Sequence, residues 1–99
     1  MSFNVEFDPK ADNEYFEAWD WYESQLTGLG DRFGRSIIKH IKIISDAPLA
    51  FPNKKSDVRE CKVEDFPFLV VYKVFPEKKL VYITSIFHTS RNPKKKYRR

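Results

Sequence analysis

Acidic residues are missing from one end of this 99-residue chain. Arg91 to Arg99 hold six cations and no acid, so the segment carries +6 while everything before it sums to −2. Cysteine is nearly absent too. Cys61 stands alone, which excludes an internal disulfide and fits a reducing compartment. Histidine occurs only at His40 and His88, far apart in sequence, so no structural zinc site is expected, and neither a metal nor a cofactor is called for. No apolar run approaches the roughly 18 to 20 residues that span a bilayer. The opening MSFNVEFDP lacks a basic stretch followed by an apolar one, so no secretion signal is read there. The expectation is a cytoplasmic protein without membrane contact. Internal repeats, linkers and low-complexity stretches are absent apart from the basic end.

What is present builds one core. Hydrophobic residues make up 41% of the chain, with nine Phe, five Tyr and two Trp, enough for a single domain over residues 1–99. Charge is segregated along it. Residues 1–31 carry eight acids against one Lys, a net of −7, whereas residues 32–90 net +5. Partners are therefore expected from the sheet side rather than over the first helix. The cationic end is suited to a polyanion, because each phosphate it neutralises releases condensed counterions.

Phe3, Val5 and Phe7 alternate with polar neighbours, which predicts a short one-sided strand. Asp8-Pro9 then starts a helix, since Asp caps free N–H groups and Pro suits the first helical position. Ala11, Tyr15, Ala18, Trp19, Tyr22 and Leu26 form its apolar stripe. Trp19, Trp21 and Tyr22 are read as core or helix-interface residues. After the Gly28-Leu29-Gly30 stop, Phe33, Ile37, Ile41 and Ile44 mark a second helix, giving a helical hairpin. Pro48 and Pro52 punctuate a loop through Lys55. Val58–Val63, Phe66–Phe75 and Leu80–His88 read as an antiparallel meander. The fold class is α+β in the order β-α-α-β-β-β, a small, mostly antiparallel sheet with the hairpin packed on one face. The long strands are apolar on both sides, so the second face must be covered by the C-terminal segment or by a partner chain.

The ordered set Asp8-Pro9, Ala11, Glu17-Ala18, Trp21-Tyr22-Glu23, Gly28-Leu29-Gly30, Arg32-Phe33, Ile41, Pro48, Val58-Arg59, Phe66-Pro67-Phe68, Val71-Tyr72, Ile86, His88, Arg91 and Pro93 spans nearly the whole chain. In order and spacing it resembles the RelE/ParE superfamily of toxins from type II toxin-antitoxin modules, which includes plasmid stabilisation proteins. The resemblance implies a bacterial, cytoplasmic growth inhibitor silenced by a cognate antitoxin. It also implies one of two targets, DNA gyrase for ParE-like members or the ribosome and its mRNA for RelE-like members. A degenerate member would only bind its antitoxin.

Cleavage of RNA through its 2′-hydroxyl needs a base, a cation for the developing phosphorane charge and an acid for the leaving oxygen, without a metal. The candidates are Arg59 as a phosphate fork, His88 as proton carrier, Arg91 for transition-state charge and Tyr97 to stack or donate. Lys94, Lys95, Lys96, Arg98 and Arg99 are the candidate nucleic-acid contacts. Structural readings stand beside these. Arg59 pairs with Asp57 or Glu64, His88 caps the C-terminal turn, and Arg91 anchors that turn. A carboxylate partner for the histidine is sought at Glu60 or Glu64. Against the RelE pattern the cation set is thin, with Cys61 and Phe68 where cations are expected, which leans the reading to gyrase inhibition. The number of copies that associate is left open.

Overall fold

The computed structural model describes residues 2–90. Its elements are β1 (Asn4–Phe7), α1 (Pro9–Gln25), α2 (Leu29–Asp46), β2 (Asn53–Lys55), β3 (Val58–Lys62), β4 (Phe68–Phe75), a 3-10 turn at Pro76–Lys78, and β5 (Leu80–His88). The strands form one sheet in the order β1-β5-β4-β3-β2; β1 runs parallel to β5 and the other pairs are antiparallel. The expected α+β arrangement is present, with one strand more than the periodicities suggested. Asn53–Lys55, read as loop, is a fully exposed edge strand on β3. It holds no apolar side chain, so no alternation could mark it.

Local chemistry sets the helix ends. Asp8 Oδ1 accepts the Lys10 N–H at 2.9 Å, and its Oδ2 accepts the Tyr82 hydroxyl at 3.0 Å, so one carboxylate caps α1 and ties it to β5. At the hairpin bend Gly28 sits at φ +92°, a left-handed conformation that a side chain would strain. Glu23 then accepts the N–H groups of Gly28 at 3.0 Å and Gly30 at 2.9 Å, which satisfies the first donors of α2 from the preceding helix. Leu26 does not extend the apolar stripe. It is the extended C-cap of α1, and 63% of it is exposed.

Phe33, Ile37 and Ile44 of α2 meet Val70, Tyr72, Val81, Ile83 and Ile86 of the sheet in the main core. Burying each of the three helix residues is worth about 1.5–3 kcal/mol by transfer. Rings finish one end: Tyr22 and Phe66 lie 5.0 Å apart, and Phe33 and Phe68 5.1 Å. The other sheet face has its own small cluster. Val58, Val71 and Phe87 are buried there beside half-buried Leu69, and the register sets Lys73 opposite Val58 and Lys62 opposite Leu69. That face is therefore not an open apolar surface. Four large exposed apolar side chains lie on the helices, at Phe16, Trp21, Ile38 and Ile43, and Leu26, Leu49 and Phe75 are exposed outside them.

Candidate functional site

Arg59 opposes Tyr72 across β3 and β4, which sets both side chains on the helix-facing side of the sheet. Its Nη1 donates to the carbonyls of Phe51 at 2.6 Å and Leu49 at 3.4 Å. The neighbouring Tyr72 hydroxyl donates to the Pro48 carbonyl at 2.7 Å. Two side chains thus pin the loop that follows α2. The anchor differs from the ion pair considered for Arg59, since its acceptors are backbone oxygens and Glu64 pairs with Lys39 at 3.2 Å. Burial holds the Tyr72 hydroxyl far above its ordinary range, against the pull of the adjacent Arg59. It also pushes the Cys61 thiol up to about 11.

His88 opposes Phe68 and stands edge-on to its ring at 5.0 Å. Its Nδ1 accepts the Ser90 backbone N–H at 3.1 Å and lies 2.7 Å from the Ser90 hydroxyl. The imidazole therefore caps the turn at the end of β5. Because Tyr72 and Phe68 are four residues apart on β4, Arg59 and His88 are separated by roughly 13 Å along the strands, and two strands apart across them. They do not converge on one phosphate. Arg91, Tyr97, Lys94, Lys95, Lys96, Arg98 and Arg99 lie outside the described residues.

A different group surrounds the histidine. Where β1 ends, it has paired β5 only through Ile83, and Thr84 is an extra residue in the β5 ladder, since Tyr72 opposes Ile83 while Val71 opposes Ser85. Glu14 on α1 fills the position that a further strand would take. Its Oε1 accepts the Ile86 N–H at 3.0 Å and the Ser85 hydroxyl at 2.8 Å. Beside it a cavity of about 330 Å³ opens between α1 and β5, lined by Glu14, Glu17, Trp21, Tyr22, Phe68 and His88 among others. The carboxylates near His88 are thus Glu14 and Glu17, rather than Glu60 or Glu64.

The signal was available in part. Glu14, Glu17, Ala18 and Trp21 fall at i, i+3, i+4 and i+7, one face of a helix, but a face that mixes acids with apolar residues does not stand out as a stripe. Trp21, read as core or interface, is 59% exposed on this face. His40 is buried and structural, with Nδ1 2.7 Å from the Ser36 carbonyl and Nε2 accepting the Glu64 N–H at 3.3 Å. Among the described residues no group of three or more His, Cys, Asp or Glu could hold a metal ion, and no helix is long and apolar enough to cross a membrane.

The family model of the ParE toxin of the type II toxin-antitoxin system, parDE, matches residues 5–93. No curated protein is a significant sequence match. Among solved structures the chain is similar to the chromosomal ParDE system from P. aeruginosa, with a TM-score of 0.74 and 19% identity over 90% of this chain and 98% of that one. It is also similar to the intact E. coli RelBE toxin-antitoxin complex, with a TM-score of 0.62 and 18% identity over 91% of this chain and 100% of that one. The archaeal RelE-RelB complex from Pyrococcus horikoshii is more distant, with a TM-score of 0.52 and 17% identity over 93% of this chain and 100% of that one. At such identities the structures speak for the fold alone, whereas the family model covers nearly the whole length: this chain belongs to the ParE toxins of type II toxin-antitoxin systems.

Proposed function

We propose that this toxin acts by binding, inhibiting DNA gyrase as a ParE-like protein, and that a cognate antitoxin silences it in the bacterial cytoplasm. The observation that carries this reading is the employment of the two described candidates for phosphate chemistry. Arg59 spends its guanidinium on the Phe51 and Leu49 carbonyls, and His88 spends Nδ1 on Ser90. A nucleolytic site needs its base and its cation within hydrogen-bond reach of the same phosphate. Here they occupy separate strands, opposite positions four residues apart on β4. The antitoxin partner is supported by the toxin-antitoxin complexes formed by the similar structures.

One observation favours RelE-like cleavage of ribosome-bound mRNA as a second reading: His88 shares a cavity with Glu14 and Glu17, and an imidazole beside carboxylates is a workable proton-transfer pair. A single experiment separates the two. Inducing the chain without its antitoxin is expected to block supercoiling and trap DNA breaks while bulk mRNA stays intact. Cut mRNA with normal supercoiling would replace the gyrase reading with the nuclease one, and undisturbed growth would make the chain a member that only binds its antitoxin.

A further inference from the structure

The gyrase reading does not draw on the cavity between α1 and β5, yet the chemistry of its lining is specific. Glu14 is half-buried and already engaged by Ser85 and Ile86, so its carboxylate is fixed in place. Glu17 lines the same space from one turn further along α1, and its side is exposed. The indole of Trp21 stands beside them, and Tyr22 and Phe68 complete an aromatic wall. Carboxylates next to an exposed indole suit a cation, which can take a charge-assisted hydrogen bond from the first and a cation-π contact from the second. The volume of about 330 Å³ lies at the small end of ligand pockets and suits one side chain.

We propose that this cavity receives an arginine or lysine side chain of the antitoxin, an inference that rests on the antitoxin reading given above. Charge complementarity selects a cation and not a nucleic acid. Residues 1–31 net −7, and phosphates approaching α1 would meet that field, whereas a guanidinium is drawn in by it. The rest of the toxin is basic, so an inhibitor covering both regions must present acids over the sheet and at least one cation over α1. The socket then sets which antitoxin fits, because a neutral or acidic residue at that position leaves Glu17 facing an uncompensated group.

The test uses the full chain and two probes. Acetyl-arginine amide should shift the Trp21 indole N–H resonance saturably, and the uncharged isostere acetyl-citrulline amide should not. Glu17→Lys, on the exposed side of α1, should abolish that shift, and Trp21→Ala, which removes the reporting indole, is read by antitoxin affinity alone. The same two variants should weaken the antitoxin complex roughly 30-fold, the effect of one interface anchor. Equal shifts with arginine and citrulline, or unchanged antitoxin affinity in both variants, would overturn the proposal while leaving the antitoxin reading intact. A wild-type chain that fails to bind the antitoxin removes that reading instead. If 0.5 M salt alone moves the indole signal before any probe is added, the chain's own basic end fills the socket, and at raised protein concentration a second copy does; either result would replace the antitoxin as occupant.

Discussion

Arg59 is held by two carbonyl oxygens, and this changes how its substitution is to be read. Removing the guanidinium leaves the Phe51 and Leu49 carbonyls without this donor, and of the two side chains that pin the loop after α2 only Tyr72, bonded to Pro48, is kept. Arg59→Ala should therefore cost about 1–3 kcal/mol of stability, the range for losing a charged donor to partly buried acceptors. A urea titration checks this, and a midpoint equal to wild type would return Arg59 to the list of free phosphate ligands. Cys61 supports a second prediction at this scale. Its thiol is ordinarily near 9.0 and rises to about 11 in the fold, so the folded state favours the neutral form. The contribution is complete below about pH 9 and is lost as pH rises through 11. Tyr72 titrates in the same direction chiefly through burial, which Cys61→Ala keeps, while the smaller push that Cys61 exerts on it is lost with the thiol and belongs to the same difference. Between pH 8 and 11 the urea midpoint of wild type should fall further than that of Cys61→Ala; parallel falls would mean that the thiol is not protected.

The helical hairpin depends on a close approach of α1 to α2 at Gly30. A methyl at Gly30 would come within 2.8 Å of Glu23 Oε1 and 2.9 Å of Trp19 Cε2, distances that force the carboxylate off the donors it caps. Gly30→Ala should be destabilising by about 1–2 kcal/mol, because overpacking and a lost cap outweigh the helix propensity gained. Thermal unfolding reads the outcome, and a raised Tm would show that α1 yields without loss. At this scale much was legible beforehand. Asp8-Pro9, the stripe through Ile37 and Ile44, and the β3-β4-β5 meander follow from capping and periodicity, and the structure has them. Asn53–Lys55 was not legible, because its pairing is backbone alone. Nor was the cavity, since it depends on β1 stopping at Phe7 and on Thr84 bulging from β5, neither of which leaves a pattern in the side chains. The carbonyl partners of Arg59 were not legible either, because residue type says nothing about which carbonyls a folded loop will bring to it.

Charge is segregated along the whole chain rather than evenly mixed. Acids gather on β1, α1 and the start of α2, Lys62 and Lys73 stand on the sheet face away from the helices, and the chain continues into six cations. Acids on α1 repel a polyanion and the cationic segment attracts it, so charge biases which part of the chain a nucleic acid meets first. Gyrase works on DNA, and a toxin that engages the enzyme would gain from touching its substrate. If all six cations of residues 91–99 reach phosphates, the logarithm of duplex DNA affinity should fall with the logarithm of salt concentration at a slope of about −5. Replacing Lys94, Lys95 and Lys96 with Gln removes three of them and should flatten that slope by roughly 2.7. Fluorescence anisotropy on a short labelled duplex between 50 and 300 mM salt measures both values, about the range over which counterion release dominates. An unchanged slope in the triple variant would move the polyanion-binding surface off the C-terminal end and onto the Lys62 and Lys73 face of the sheet.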